Sequence, residues 1–165
     1  MIHAIKKSPL VLIVDDDESM RLLLQRHMEL DGYRVSMAED GLRAVVAAEA
    51  DLPDIVLLDA QMPAMDGFQV AEAFKSSERT RTIPVIMVTV LGDHRSRLRA
   101  LQAGVQEFLT KPVDKSELLL RVKNVLLLKE YNNFLTDRNR VLEQQVQERS
   151  REVLGSYRET IRSEE

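Results

Sequence analysis

The chain has 165 residues, of which 44% are hydrophobic and 30% are charged, and its formal net charge is -4. This balance is typical of a globular protein and excludes a disordered chain, while the small negative charge gives no electrostatic reason to expect direct nucleic-acid binding. The absence of cysteine excludes disulfides and thiolate metal sites and favours a reducing compartment, the cytoplasm. The early apolar run LVLIV is too short for a signal peptide or a membrane span, so we expect neither export nor membrane insertion.

Short apolar runs alternate with longer segments of helical periodicity along the chain. The runs predict five strands, at residues 10–14, 33–37, 54–59, 84–89 and 107–110. The segments between them predict helices at residues 18–31, 41–50, 66–76 and 94–103. Continuously apolar strands that alternate with helices are typical of a parallel sheet covered on both faces. The sequence therefore predicts an α/β fold built on a doubly wound, five-stranded parallel sheet.

Polar side chains stand at the ends of four predicted strands. Asp15 and Asp16 follow the first strand, Asp59 ends the third, Thr89 ends the fourth, and Lys111 follows the fifth. Ligands of open parallel sheets bind beyond the carboxyl ends of the strands. We therefore expect these acids, the hydroxyl and the ammonium to face one another across a small crevice.

The predicted crevice has the chemistry of a metal-assisted phosphoryl acceptor. Carboxylates held close together repel one another unless a cation neutralises them, and Mg²⁺ prefers oxygen ligands. The candidate ligands are Asp15, Asp16, Asp59 and the backbone carbonyl of Gln61. Asp59 stands alone at its strand end and can act as a nucleophile. Its attack on a phosphoryl group brings two anions together, so the reaction needs Mg²⁺ and Lys111 for positive charge and Thr89 as a hydroxyl donor.

The last segment predicts one long helix. It begins near Asp114 and continues for about 40 residues, or roughly 60 Å. Leu128, Leu135 and Leu142 are seven residues apart, and the repeat then slips by four to Val146, which is a coiled-coil pattern with a stutter. Residues 129–165 contain too few apolar side chains for a globular core, so we expect them to need a partner helix.

These residues together resemble the receiver domain of two-component response regulators, which has a flavodoxin-like fold. The resemblance covers residues 8–128 and rests on five positions in order: Asp15, Asp16, Asp59, Thr89 and Lys111 with Pro112. It implies that Asp15 and Asp16 bind Mg²⁺ and that Asp59 accepts a phosphoryl group from a histidine of a partner kinase. It also implies a switch formed by Thr89 and Phe108, and a Lys-Pro bond that is commonly cis.

The tail carries a second resemblance. The stretch NRVLEQQVQERSREVLGSYRETI is similar to the helical linker that joins receivers to cyclic-di-GMP phosphodiesterase domains of the HD-GYP type, and also to linkers of cyclases. We therefore interpret residues 129–165 as a helical linker or coiled-coil extension that leads to an absent output domain. The expected partners are a sensor histidine kinase or phosphotransfer protein and a second copy of the chain. The copy would pair through the C-terminal helix, with the face of the fourth and fifth helices as a further contact.

One alternative comes from an enzyme class. The stretch DDDES also fits DxDxS and so resembles the nucleophile motif of haloacid-dehalogenase-like phosphatases, with Asp15 as nucleophile and Asp17 as acid/base. That family needs a further acidic pair after its lysine, whereas Lys111 is followed by Pro112 and a helix. The alternative also leaves Asp59 without a role. Under the receiver interpretation we expect no enzymatic activity beyond the chain's own phosphorylation and dephosphorylation, although an absent output domain could be an enzyme.

Overall fold

The computed structural model describes residues 8–164, with side chains as far as residue 161. The strands are β1 (Leu10–Val14), β2 (Arg34–Ala38), β3 (Ile55–Leu58), β4 (Val85–Thr89) and β5 (Glu107–Thr110). The helices are α1 (Glu18–Leu30), α2 (Gly41–Asp51), α3 (Gly67–Ser76), α4 (His94–Gln102) and α5 (Lys115–Glu164). The five predicted strands and the first four predicted helices are confirmed with nearly the same bounds. Helix α5 has 50 residues and is longer than the expected 40 or so, because it continues through Gly155. Glu165, the last residue of the predicted tail, lies outside the described residues.

The five strands form one sheet in the order β2-β1-β3-β4-β5, and every neighbouring pair is parallel. The chain therefore winds first to one side of β1 and then to the other, so the predicted doubly wound sheet is confirmed. The change of direction lies between β1 and β3, and this is where an open parallel sheet forms a crevice at its carboxyl edge.

Each face of the sheet has its own hydrophobic core, because successive strand side chains point to opposite faces. One core combines Leu12, Leu58 and Met87 with side chains of α2, α3 and α4, including the fully buried Phe74. The other core combines Ile13, Leu57 and Ile86 with side chains of α1 and the start of α5: Leu24, Met28, Leu118 and Val122. The apolar strands predicted from the sequence are thus covered on both sides.

Aspartates define where the helices begin. The side chains of Asp17, Asp40, Asp66 and Asp93 accept backbone N–H bonds at the starts of the first four helices. Asp114 accepts the backbone N–H of Glu117 in the same way at the start of α5, at 2.9 Å. A capping side chain satisfies an N–H group that has no partner within its helix. These acids therefore have a structural task that is separate from the carboxylates at the strand ends.

Strand β3 is one residue shorter than predicted at each end, and an aspartate flanks it on either side. The side chain of Asp54 accepts the backbone N–H of Leu10 at 2.8 Å. At the other end, the backbone N–H of Asp59 bonds the carbonyl of Val14 at 2.9 Å. This bond continues the pairing with β1 and fixes the point at which the Asp59 side chain leaves the sheet.

The described chain divides into two compact units, one ending at Leu126 and the next beginning at Leu127. The second unit is helical as far as Glu164 and exposes apolar side chains along its length, among them Leu128, Leu135, Leu142 and Val146. The predicted C-terminal helix is confirmed. Of the helices within residues 8–164, none combines the length and apolar character needed to cross a membrane.

Candidate phosphoacceptor and metal site

The residues predicted to form the crevice meet at the carboxyl edge of the sheet. Asp15 and Asp16 lie just beyond β1, and Asp59 lies just beyond β3. Thr89 is the last residue of β4, and its carbonyl accepts the backbone N–H of Lys111 at 2.8 Å, just beyond β5. Backbone pairing therefore places side chains from four strands around one crevice.

Three carboxylates form a cluster suited to a cation. Asp15, Asp16 and Asp59 each offer an oxygen, and these oxygens lie within 4.8 Å of one another. Asp15 is 1% exposed and Asp59 is 6% exposed, whereas Asp16 is an exposed residue. An all-oxygen set of this kind fits a hard divalent cation, and the exposed side leaves room for water ligands. The donor chemistry thus fits Mg²⁺.

Lys111 is the cation that the chain itself supplies to the cluster. Its Nζ lies 2.8 Å from Oδ2 of Asp15 and 3.7 Å from Oδ2 of Asp59. Its peptide bond to Pro112 is cis, as the resemblance implied. One ammonium faces three carboxylates, so the site keeps an excess of negative charge that a bound cation can offset.

The electrostatic environment of Asp59 disfavours its ionised form. Burial of the carboxyl raises its pKa above the ordinary value, and the neighbouring charge of Asp15 raises the pKa further. Lys111, the backbone N–H of Gln61 and the hydroxyl of Thr89 lower the pKa without reversing the shift. A carboxyl in a crevice whose pKa is shifted by burial and by a neighbouring charge is a candidate functional group, and Asp59 is such a carboxyl.

The two predicted switch residues differ in burial. Thr89 is fully buried, and its Oγ1 accepts the backbone N–H of Leu91 at 3.3 Å. Phe108 is half-buried against the core that contains α3 and α4, and Leu91 packs against the same core. The residues at which a switch would act therefore lie on neighbouring strands, where Thr89 pairs with Thr110 and Phe108 pairs with Met87.

Three contributors to the site were missed by sequence reasoning. Arg21 of α1 donates from its guanidinium to the carbonyl of Asp15 at 2.7 Å. The backbone N–H of Gln61 donates to Oδ1 of Asp59 at 3.3 Å, so this residue contributes a donor as well as its predicted carbonyl. Gly67 lies against the backbone of Asp59, where a Cβ would overlap the Asp59 carbonyl oxygen. The glycine after MPAMD was the one available signal, since glycine permits close backbone approach.

The family profile of the response regulator receiver domain matches residues 11–123. The chain belongs to this family. The receiver interpretation of the sequence is therefore confirmed, and the fold agrees with it. The phosphatase alternative gains no support, because the matching family is the receiver domain and Asp17, its expected acid/base, caps α1.

Individual relatives show how far the similarity extends. The response regulator PleD of Caulobacter vibrioides is 43% identical over 119 residues, which cover 72% of this chain and 26% of PleD. The cyclic di-GMP phosphodiesterase response regulator RpfG of Xanthomonas campestris pv. campestris is 36% identical over 153 residues, covering 92% of this chain and 40% of RpfG. The chain thus spans less than half the length of either relative.

A solved receiver domain has a similar fold. It belongs to the sensor histidine kinase PA1611 of Pseudomonas aeruginosa, whose structure has a magnesium ion coordinated in the active-site cleft. The TM-score is 0.68 and the sequence identity is 28%, over 72% of this chain and 98% of that domain.

Proposed function

We propose that this chain is the phosphoacceptor part of a two-component response regulator, with Asp59 as the acceptor. Receiver domains take their phosphoryl group from a sensor histidine kinase or a phosphotransfer protein, and we assign such a partner to this chain. One observation carries the proposal: a buried strand-end carboxylate lies in a cluster of three acids, 3.7 Å from the ammonium of Lys111. An acid cluster that pairs with one lysine ammonium suits a site that receives both a metal and a phosphoryl group. The cysteine-free sequence supports a cytoplasmic location for this reaction.

The proposed transfer begins when an oxygen of the Asp59 carboxylate attacks the phosphorus of a phosphohistidine. The O–P bond forms as the N–P bond breaks, and the electron pair of the broken bond returns to the imidazole nitrogen of the partner. The ammonium of Lys111 and the hydroxyl of Thr89 are placed to stabilise charge on the phosphoryl oxygens. Dephosphorylation is a separate hydrolysis: a water oxygen attacks the phosphorus, the O–P bond to Asp59 breaks with its electron pair returning to the carboxylate, and inorganic phosphate leaves with the protons of the water.

Mg²⁺ is the cation that we assign to the acid cluster. Its proposed ligands are Asp15, Asp16, Asp59 and the backbone carbonyl of Gln61. When bound, the ion supplies positive charge that reduces repulsion between the carboxylate and the phosphoryl oxygens. Magnesium in the similar site of the PA1611 receiver supports this assignment.

Removal of the metal is expected to suppress phosphorylation. The full chain is incubated with acetyl phosphate in Mg²⁺ or in EDTA, and intact mass spectrometry follows the addition of one phosphoryl group. We expect labelling in Mg²⁺ and a rate at least roughly tenfold lower in EDTA, because the metal supplies several kcal/mol of charge stabilisation. Equal rates in both buffers would exclude the metal from the reaction, and no labelling in either would contradict the proposed acceptor function.

The second unit is proposed to transmit the signal by pairing with a second copy of itself. A helix that exposes apolar side chains at coiled-coil spacing needs a partner to bury them. Similarity to RpfG extends over 153 residues, beyond the 119 shared with PleD, which supports a linker like that of a phosphodiesterase response regulator. We therefore assign residues 8–128 to the receiver and residues 129–165 to a linker that leads to an output domain. Phosphorylation of Asp59 would alter Phe108 and the face of α4 and α5, and with it the pairing of two linkers.

Pairing of the linkers predicts a dimer that depends on the apolar stripe. With Mg²⁺ and beryllofluoride, a phosphoryl mimic, light scattering on the full chain should give the molar mass of a dimer. The double variant Leu135→Glu, Leu142→Glu should be monomeric, because it places charges within the apolar seam. Asn133→Glu adds a charge on the other side of the helix and should remain dimeric. A parent chain that stays monomeric under all these conditions would contradict the pairing.

A further inference from the structure

Helix α4 buries little of its own apolar surface against the rest of the receiver. Its sequence is HRSRLRALQ, and Ala100 is the single buried residue in this fully described helix. Its leucines, Leu98 and Leu101, are exposed. Helix α3, by contrast, buries Phe68 and Phe74 among other side chains. Because a single alanine buries little apolar surface, α4 must depend on other contacts for its position.

Two arginines supply those contacts on opposite flanks of α4. Arg97 and Arg99 are two positions apart, so their side chains leave the helix about 200° apart. The guanidinium carbon of Arg97 lies 5.2 Å from the ring centroid of Phe108, and that of Arg99 lies 4.2 Å from the ring centroid of Phe68. Both distances are within the range of a cation–π interaction.

The two rings differ in their freedom to move. Phe68 is 3% exposed, is part of the core, and lies on a helix whose first residue is fixed against the backbone of Asp59. Arg99 also lies 3.7 Å from the carboxylate of Asp66 at the start of that helix. Phe108 is only half-buried, as the second residue of β5. It pairs with Met87 of β4, two positions before Thr89. The contact of Arg99 with Phe68 therefore anchors α4, whereas Arg97 contacts Phe108, the ring proposed to switch.

We propose that Arg97 is a positioning residue for Phe108, which it holds in the half-buried position through its cation–π contact. This inference rests on the proposed function, in which phosphorylation moves Phe108 inward. Inward movement takes the ring away from an arginine that lies on the exposed side, so the contact is lost when the switch operates. Arg97 thus sets how much of the chain has the switched conformation before phosphorylation.

Loss of the Arg97 side chain should change the affinity for beryllofluoride, and the direction of the change distinguishes a ring contact from a simple charge effect. A ligand that binds the switched state gains apparent affinity in proportion to the population of that state. Loss of the Arg97 contact should therefore lower the beryllofluoride concentration for half-saturation, by about two- to fivefold for an exposed cation–π contact. If Arg97 acted only through its positive charge, its removal would weaken binding of this anion and raise that concentration.

The test uses the full chain labelled with 4-fluorophenylalanine, which introduces four labels. The resonance of Phe108 is identified by its loss in Phe108→Leu, and beryllofluoride is titrated in Mg²⁺ while ¹⁹F NMR is recorded. Arg97→Gln should move the Phe108 resonance of the free chain toward its position in the complex and lower the half-saturating concentration. Arg97→Lys, which keeps a cation at the ring, should restore most of the parent behaviour.

Three controls isolate the ring contact. Arg95→Gln removes the same charge from the exposed side of α4 and should match the parent chain. Arg99→Gln removes the contact on the opposite flank and should leave the Phe108 resonance in place. In the Phe108→Leu background, followed through the remaining labels, Arg97→Gln should no longer lower the half-saturating concentration.

The outcomes separate this inference from the proposed function. If the parent chain does not respond to beryllofluoride, the acceptor function is wrong and the role of Arg97 falls with it. If the parent responds but Arg97→Gln leaves the half-saturating beryllofluoride concentration unchanged or raises it, only the role of Arg97 is wrong. An effect of equal size from Arg99→Gln would assign the change to loosening of α4 and would also overturn the role of Arg97.

Discussion

Asp59→Asn is expected to abolish phosphorylation of the chain by acetyl phosphate or by a phosphorylated histidine partner. The amide keeps the shape of the side chain but lacks the negatively charged oxygen that would attack phosphorus. The expected reduction in the rate of labelling is at least roughly a thousandfold, comparable to the loss of an essential nucleophile. Intact mass spectrometry and ³²P transfer from a phosphorylated kinase measure it directly.

The same variant should make the receiver more stable at neutral pH in the absence of metal. The pKa of Asp59 is raised in the folded chain, so its ionised form opposes folding above the unfolded-state pKa, and this cost disappears as pH falls through the raised folded-state pKa. The stability gain of Asp59→Asn should therefore shrink on acidification, as measured by urea unfolding in EDTA.

Asp51→Asn is the matched control, because it makes the same change at an exposed residue at the end of α2. It should label at the parent rate and show no comparable gain in stability. Persistent labelling of Asp59→Asn at one site would show that another carboxylate is the acceptor, and Asp15 or Asp16 would be the next candidates.

Gly67→Ala is expected to lower the free energy of unfolding of the receiver by about 3 kcal/mol, the upper part of the usual range for overpacking. An added Cβ would overlap the carbonyl oxygen of Asp59 and come within 2.8 Å of Cα of Ala60. These are backbone atoms, and the N–H of Asp59 is bonded to β1, so they cannot move aside as a flexible side chain would. Thermal unfolding monitored by circular dichroism should show the midpoint lowered by roughly 10 °C.

Gly155→Ala provides the matched control, since a Cβ there has nothing within 4 Å. In the interior of an exposed helix, alanine is favoured over glycine by about 1 kcal/mol, so this change should raise helix content or leave it unchanged. If Gly67→Ala unfolds at the parent temperature, α3 can shift at little cost and the position of Asp59 does not depend on this close approach. Beryllofluoride affinity of the variant then reports whether the shift displaces the acceptor.

The strand-end residues were predictable from the sequence because local patterns locate strand ends and parallel topology brings those ends together. Asp59 and Thr89 illustrate this, since each follows an apolar run whose carboxyl end faces the same edge. Arg97 was not predictable, because in the sequence it is one of three arginines on a short polar helix. Its contact with Phe108 depends on how α4 lies beside β5, and no periodicity in either segment encodes that placement.

The run DDDES separates what the sequence determines from what only the tertiary structure determines. By itself the sequence determined that a buried strand gives way to acids and then to a helix, because apolar periodicity and capping preference are local properties. The tertiary structure alone decided that Asp15 is buried against Lys111, that Asp16 is exposed and that Asp17 caps α1. Lys111 is 96 residues away in the chain, and only the pairing of strands into one sheet brings its ammonium to Asp15. Three identical side chains thus acquire three environments because burial and charge pairing depend on distant residues.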